Sequence, residues 1–392
     1  MKFRALTCIF AMTLFGALAI PVRLVAQAQK EAKSEHQRYK FIDIGTLGGP
    51  ASYSSAEGDG SLVLNNRGMV AAYGDTSAAD PYAPKCFDAD CYLAQAFRWQ
   101  NGVTTDLGAL PGANNSAISG INERGWIAGF SENGVIDPVA GFPAVHAVLW
   151  KDGEIIDLGT LGGYESNAVS VNNEGQVVGF STINATPDPF SFAGAPTHTF
   201  IWKNGVMQDL GTLGGPDSFP SAGGINERNG LVAGGSYINS TPNSVTDACG
   251  QNVPTMDPFL WRNGKMLDLG TLGGTCGFAV VANNRGQVVG LSDLAGDLEI
   301  HPFLWDRGTL TDLGTFGGDY GQPFWINDEG DVVGIANYPG NLMWHGFLWR
   351  QGVMTDLGTV AGDTCSEAES INSEGQVVGA SGICFQTARA FL

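Results

Sequence analysis

The residues of this chain whose types could do chemistry are its histidines, a repeated aspartate, an Asp-Ala-Asp loop, its cysteines and a set of loop aromatics. His146, His198, His301 and His345 each stand just before a Phe-Leu-Trp-like run, and Gln95, Asp257 and Arg389 fill the same place in other copies of that run. A position that accepts His, Gln, Asp and Arg reads as a polar strand end, not as a metal ligand or general base. His36 lies apart in a charged segment, so no histidine is left over for a Ser-His-Asp triad. The aspartates of an Asp-Leu-Gly signature, whose periodic use points to capping of turn amides, are Asp43 (as Asp-Ile-Gly), Asp106, Asp157, Asp209, Asp268, Asp312 and Asp356. Asp88-Ala-Asp90 resembles the first half of a calcium loop, which makes Asp88 and Asp90 the one metal candidate. Tyr92 stands where the next oxygen ligand belongs, however, and no glycine or terminal glutamate follows. No other cofactor is expected.

What positions these residues is a repeat. The signature aspartates are 63, 51, 52, 59, 44 and 44 residues apart, so the minimum unit is 44 residues and the remainder is insertion. Around the third copy the chain reads His146 to Trp150, a Lys151-Asp-Gly153 turn, Glu154 to Gly159, Thr160-Leu-Gly-Gly163, Ser166 to Asn172, a turn at Asn173-Glu-Gly175, and Gln176 to Ser181. Apolar residues come in short runs bounded by Gly, Asn and Asp without a helical period, which is the pattern of strands. Asn101-Gly102, Asp152-Gly153, Asn204-Gly205 and Asn263-Gly264 suit tight hairpins whose two central residues both need positive φ. Each unit is expected to be an antiparallel four-stranded meander.

Every strand type recurs seven times. The third-strand apolar position is Phe97, Val148, Phe200, Phe259, Phe303, Phe347 and Phe391; the Asn closing an Ile-Asn strand is Asn65, Asn122, Asn172, Asn226, Asn283, Asn327 and Asn372. The Gly-Gln-Val-Val-Gly strand starts at Gly68, Gly125, Gly175, Gly230, Gly286, Gly330 and Gly375, with Ala72 replacing the second glycine in the first copy. The order is circularly permuted: residues 40–45 form an orphan opening strand and residues 389–392 an orphan closing one. Pairing these two completes a unit and closes a ring, so the expected fold is all-β, a seven-bladed β-propeller of four-stranded blades over residues 39–392. The Ile-Asn strand, with its small residues, is placed innermost and the Asp-Leu-Gly strand outermost.

Successive strands reverse direction, so the loops after Gly-Gln-Val-Val-Gly and after Asp-Leu-Gly-Thr-Leu-Gly-Gly open on one face. Cys86, Cys91, Cys249 and Cys384 fall in the first loop type, and Cys276 and Cys365 in the second. An even count in an exported chain reads as disulfides, with zinc the competing reading. Nearest partners are Cys86 with Cys91, Cys249 with Cys276 and Cys365 with Cys384, among 15 pairings that six cysteines permit. The insertions at 75–94, 131–145, 181–197 and 236–256 gather on the same face, as binding insertions often do. Its aromatics include Tyr82, Phe87, Tyr164, Phe190, Phe192, Tyr237, Tyr320, Tyr338 and Trp344. Beside carboxylates they suit sugar or peptide recognition, and they equally suit pinning the loops to the ring.

The first 28 residues differ in kind. Lys2 and Arg4 precede an apolar stretch from Ala5 to Ala19, and Ala26-Gln27-Ala28 has the small-x-small pattern of a cleaved signal peptide. Residues 29–38 are a polar linker, and no later segment is apolar enough to span a membrane. Removal of Lys2, Arg4 and Arg23 takes the formal charge from −19 to −22. That acidity excludes the basic footprint of a nucleic-acid or anionic-lipid binder. The location expected is outside the cytoplasm, either periplasmic or extracellular.

The composite of His-Ala-Phe-Leu-Trp, Asp-Leu-Gly-Thr-Leu-Gly-Gly, Ile-Asn and Gly-Gln-Val-Val-Gly-x-Ser resembles the HAF repeat of bacterial extracellular proteins. His198-Thr-Phe-Ile-Trp202, Asp209 to Gly215 and Ile225-Asn226 form one instance. The resemblance covers nearly the whole chain after the leader and implies secretion, but it carries no catalytic residues over. The departures are Gln95, Asp257 and Arg389 in the His position and the degenerate copy around residues 65–72. The functional expectation is a secreted, non-enzymatic propeller binding a glycan or protein through its long-loop face. A glycan-active enzyme with paired carboxylates such as Asp319 and Asp363 is the alternative, and a matrix protein without a discrete ligand is a third reading.

Overall fold

The computed structural model describes residues 42–54, 62–188, 191, 194–243, 246–247, 249–384 and 388–391. The expected leader, the linker and Phe190 lie outside them. The chain divides into two compact units, Met1–Asp43 and Ile44–Leu392, and all the strands belong to the second.

Among the described residues there is no helix, and the strands form successive antiparallel meanders. The first sheet is Gly48–Tyr53, Val70–Ala79, Tyr92–Gln100 and Val103–Asp106, and the second is Ser116–Ile121, Ile127–Ile136, Pro143–Lys151 and Glu154–Asp157. The third is Ser166–Val171, Val177–Thr182, Thr197–Lys203 and Val206–Asp209; the fourth is Ser218–Ile225, Val232–Pro242, Pro254–Arg262 and Lys265–Asp268. The fifth is Gly273–Ala282, Val288–Leu294, Ile300–Asp306 and Thr309–Asp312, and the sixth is Gly321–Ile326, Val332–Asn337, Trp344–Arg350 and Val353–Asp356. The last holds three strands, Cys365–Ile371, Val377–Gly382 and Ala388–Phe391. A two-stranded hairpin, Thr246–Asp247 with Gly250–Gln251, decorates the long loop of the fourth sheet, and one parallel pairing, Met256 with Cys276, joins the fourth sheet to the fifth.

Local chemistry explains the meander. The outer hairpin turns at Asn101-Gly102, Asp152-Gly153, Asn204-Gly205 and Asn263-Gly264 all have positive φ at both residues, as their sequence demands. In the middle of the third to sixth sheets a glycine faces the third-strand Phe: Gly179 pairs with Phe200, Gly234 with Phe259, Gly290 with Phe303 and Gly334 with Phe347. A Cβ on Gly179 would stand 2.0 Å from the Asn167 carbonyl oxygen and 2.7 Å from the Phe200 ring. The glycine makes room for a ring that is fully buried in every one of these sheets. In the first sheet Ala72 takes that place opposite Phe97.

Each sheet is covered by its neighbour. Val178 and Ile201 of the third sheet, with Leu210 just after its last strand, pack with Ile225, Val232 and Phe259 of the fourth, and Val289 and Leu304 of the fifth pack with Ile326, Val332 and Phe347 of the sixth. Equivalent clusters join the first sheet to the second, the second to the third, the fourth to the fifth and the sixth to the last. First strands pack on first strands, which places the Ile-Asn strand innermost as expected. Its asparagine links the sheets. The Asn122 side chain donates to the Asn172 carbonyl (2.9 Å), Asn283 to the Asn327 carbonyl (2.9 Å) and Asn327 to the Asn372 carbonyl (3.1 Å). The same side-chain oxygen caps its own turn, accepting from the amides of Arg285 and Gln287 at Asn283.

The repetition stops at the two ends. The expected strand at residues 40–45 is not found over Ile42–Gly45, and Ala388–Phe391 pairs with Val377–Gly382 alone among the described residues. Val378 is 42% exposed and Leu64 is 53% exposed, whereas the equivalent Val178, Val289 and Ile225 are buried. Ile42, expected to be covered by the closing strand, is likewise exposed. Among the described residues no sheet closes across the ends, so the all-β architecture of stacked antiparallel sheets stands while the apolar groups at both ends are exposed. The physical reason is that a sheet face buries its apolar residues only where another face lies against it.

Asn283 should therefore carry more stability than its polarity implies. Asn283→Ala leaves a turn uncapped and the Asn327 carbonyl without its donor, and we expect a loss of about 1–3 kcal/mol in urea unfolding with an unchanged m-value.

Candidate functional site on the long-loop face

The repeated aspartate caps its turn as expected: the amides of Gly108, Gly159, Gly211, Gly270, Gly314 and Gly358 donate to the Oδ1 of Asp106, Asp157, Asp209, Asp268, Asp312 and Asp356. It has a second task that sequence reasoning missed. His146, His198, His301 and His345 place Nδ1 within 2.8–3.1 Å of both carboxylate oxygens of Asp157, Asp209, Asp312 and Asp356. The constant spacing of 11 residues was the available signal. Burial pushes Asp312 upward, but the hydrogen bonds from His301 and Gly314 outweigh it and hold the carboxyl below its ordinary value; the same contact raises His301. In the fourth sheet Asp257 takes the His place and faces Asp268, and burial together with that second carboxylate pushes Asp257 up to about 6.

On the long-loop face all three nearest-partner disulfides are present: Cys86–Cys91, Cys249–Cys276 and Cys365–Cys384. One further repeat position, the residue just before the first serine of the inner strand, reaches into the loop of the preceding sheet. Asn115 accepts from the Ala94 amide (2.9 Å) and donates to Asp80 (3.1 Å) and Glu132 (3.0 Å). Glu165 accepts from the Val145 amide (3.2 Å) and Asp217 from the Thr197 amide (2.6 Å). Burial pushes Glu165 up to about 7, against the Val145 amide, with the charge and hydrogen bond of Asp137 adding to the rise. Burial pushes Asp217 up to about 6, opposed by the Thr197 amide and reinforced by the charge of Asp188. Nothing in the repeat signature marks this position, because its residue type changes from copy to copy.

The expected ligand-face aromatics are mostly engaged by the protein itself. Tyr237 is only 5% exposed, so it is a packing residue and not a ligand contact. The Tyr338 hydroxyl donates to Asp356 and its ring packs edge-on against His345; that hydrogen bond, with burial, pushes Tyr338 up to about 12. Tyr320 donates to Gln322 (2.5 Å), and Trp344 donates its ring N–H to Glu367 (3.3 Å). Tyr82 is half-buried, with its amide on Asp80, and Phe87 stacks on Phe130. Tyr164 is the most open of the described candidates at 36%. Asp319 and Asp363 are held by different partners, Asn341 for the first and Arg389 with Ser381 for the second.

Asp88 and Asp90 do share a neighbourhood with Asp75. Burial, then the charges of Asp90 and Asp75, push Asp88 up to about 6, and Asp90 accepts from the Tyr92 amide. Among the described residues no group of three or more His, Cys, Asp or Glu is placed to hold a metal ion, so the calcium loop is not assembled as a ligand set. No helix among them is long and apolar enough to cross a membrane.

The His301–Asp312 pair sets a titration. His301 should titrate above 6.5, and Asp312→Asn should return it toward that value in an NMR titration. The stability contributed by His301 is present below 6.5 and lost as pH rises through its folded value, while that of Asp312 is present above 3.8 and lost as pH falls.

No family model matches the chain, and no curated protein matches it. Among solved structures it is similar to the β-propeller domain of the Trilobed protease from Pyrococcus furiosus, at 11% identity and TM-score 0.45, covering 84% of this chain and 90% of that one. A PL25 ulvan lyase matches at 10% identity and TM-score 0.41, over 87% of this chain and 94% of that one. The acylaminoacyl peptidase of Pyrococcus horikoshii matches at 12% identity and TM-score 0.39, over 83% of this chain and 49% of that one.

Proposed function

We propose that this chain is an exported, non-enzymatic HAF-repeat propeller that binds an extracellular glycan or protein through its long-loop face. The observation that carries this reading is the apolar exposure at the loop tips. Val135, Ile136 and Phe142 of the second sheet, Leu298 of the fifth, Leu342 and Met343 of the sixth and Ile383 of the last all stand in solvent on that face. Exposed apolar groups gathered on one face mark recognition surfaces. The three disulfides support the reading by stapling loops of the same face, the one carrying Ile383 among them, and they favour an oxidising compartment. A glycan-active enzyme is the second reading, favoured by the raised carboxyl of Glu165 on that face. Panels of glycans and secreted proteins should show saturable binding without turnover, lost in the double variant Leu342→Asp, Met343→Asp while the melting temperature holds. Turnover of a polysaccharide supports the enzyme instead, and neither binding nor turnover supports a matrix role.

The finer architecture belongs to the same proposal: seven sheets closed as a ring. The open face carrying Val378 and the open face carrying Leu64 are the same two faces that meet at every other junction. Asn372 occupies the place from which its counterparts donate to the next sheet, where the Asn65 carbonyl stands in the matching position. If the ring closes, Asn372→Ala should cost about 1–3 kcal/mol, as much as its internal counterparts. A cost near that of a lone turn cap, about 0.5–1 kcal/mol, means an open chain of sheets.

A further inference from the structure

We infer that Glu165 and Asp217 are proton-dependent clasps that hold the loops of the second and third sheets against the sheets that follow, so that the long-loop face loosens as pH rises. The inference concerns how the face is held and stands whatever that face binds.

The first sheet shows the chemistry in neutral form. Asn115 reaches from the second sheet into the first sheet's loop. Its oxygen takes the Ala94 amide and its amide group donates to Asp80, whose other contacts are the amides of Tyr82 and Phe87. Asp80 is therefore the organiser of its loop, and Asn115 is the donor that ties it down. One repeat later Asp137 organises the second sheet's loop in the same way: its carboxylate accepts from Val139, its amide donates to Phe142, and its carbonyl accepts from Gly141. The residue that faces it from the next sheet is Glu165, with one oxygen on the Val145 amide. Two repeats later Asp188 begins the equivalent loop, its amide donating to the Gly194 carbonyl, and its charge acts on Asp217. Asp137 and Asp217 are buried. One oxygen of Asp217 is enclosed without a hydrogen-bond partner among the described residues.

A carboxylate cannot donate. Where Asn115 supplies an N–H, Glu165 and Asp217 match it only when protonated, with the acid O–H turned toward the loop aspartate and the second oxygen kept on the backbone amide. Ionised, each pair sets two like charges together, one of them on a buried residue, Asp137 or Asp217, which is unfavourable enough to separate them. The groups facing Glu165 are Asp137 and His146, and those facing Asp217 are Asp188, Ser191 and His198; both histidines are already engaged, by Asp157 and Asp209. A raised carboxyl contributes stability that is present below its unfolded value and lost as pH climbs to its folded value. The window runs from 4.5 to about 7 for Glu165 and from 3.8 to about 6 for Asp217.

The test is hydrogen exchange, corrected for intrinsic rates, on the disulfide-intact protein between about pH 5 and about pH 8. In the unaltered protein the amides of Asp137, Val139 and Gly141 should lose protection by at least about tenfold as pH rises, and those of Tyr82 and Phe87 on the Asn115 side should change no further above the Asp88 window, which ends at about 6. Glu165→Gln should make the second loop's protection independent of pH, and Asn115→Asp should extend the first loop's pH dependence beyond that window. If a variant fails to fold, an infrared pH titration of the unaltered protein still decides, since the proposal requires buried carboxylic-acid absorption that disappears over the same window. Protection unchanged with pH, a pH dependence surviving in Glu165→Gln, or protection restored at high pH by added calcium would each overturn the proposal, the last by showing that a cation and not a proton joins the pair.

Discussion

A sheet with large apolar residues on both faces cannot stand alone, and the whole of this structure follows from how that demand is met. Phe303 and its counterparts fill one face, seated against a glycine across the strand pair, and Val289 and Leu304 fill the other. Each face is buried only by the next sheet, so stability propagates from neighbour to neighbour. The asparagine at the end of every inner strand converts this apolar stacking into a defined register. A donor placed at 2.9–3.1 Å from one carbonyl of the adjacent sheet leaves little freedom to slide.

Polar groups at the rims are satisfied by pairs that substitute for one another. The four His and Asp257 face the turn-capping carboxylate, whereas Gln95 at the same place donates to the Asn114 carbonyl and Arg389 to Asp363, so one strand-end position takes different partners. The long-loop face repeats the principle with more variety. Asn115, Glu165, Asp217 and the cysteines Cys276 and Cys365 all occupy the position preceding the inner strand, and each fastens a loop by amide, acid or disulfide. The loops are thus held individually, which lets their lengths and tips differ while the sheets beneath them remain alike.

The strands, the hairpin turns, the inner position of the Ile-Asn strand and the gathering of all six cysteines on one face were legible from the sequence, because each depends on residues close in the chain or on a period that repeats. The turn-capping role of the aspartates was legible for the same reason. What misled was exposure. Tyr237 sits in an inserted loop and reads as a surface aromatic, yet it is buried, because whether a ring faces solvent depends on which neighbouring sheet it meets. Asp319 and Asp363 likewise read as a candidate pair and are separately engaged.

By itself, then, the sequence determined the repeating unit, its strand order and the face on which the cysteines gather, since these are written in local spacing; among the pairings it left open, the structure adopts the nearest-partner set. Only the tertiary structure decided which side chains meet across sheets. The Asn122 side chain finds a carbonyl 50 residues away, and Asn115 finds Asp80 across 35 residues. Such contacts are set by how one twisted sheet lies on the next, and the insertions that vary from copy to copy erase any fixed spacing from which they could be read.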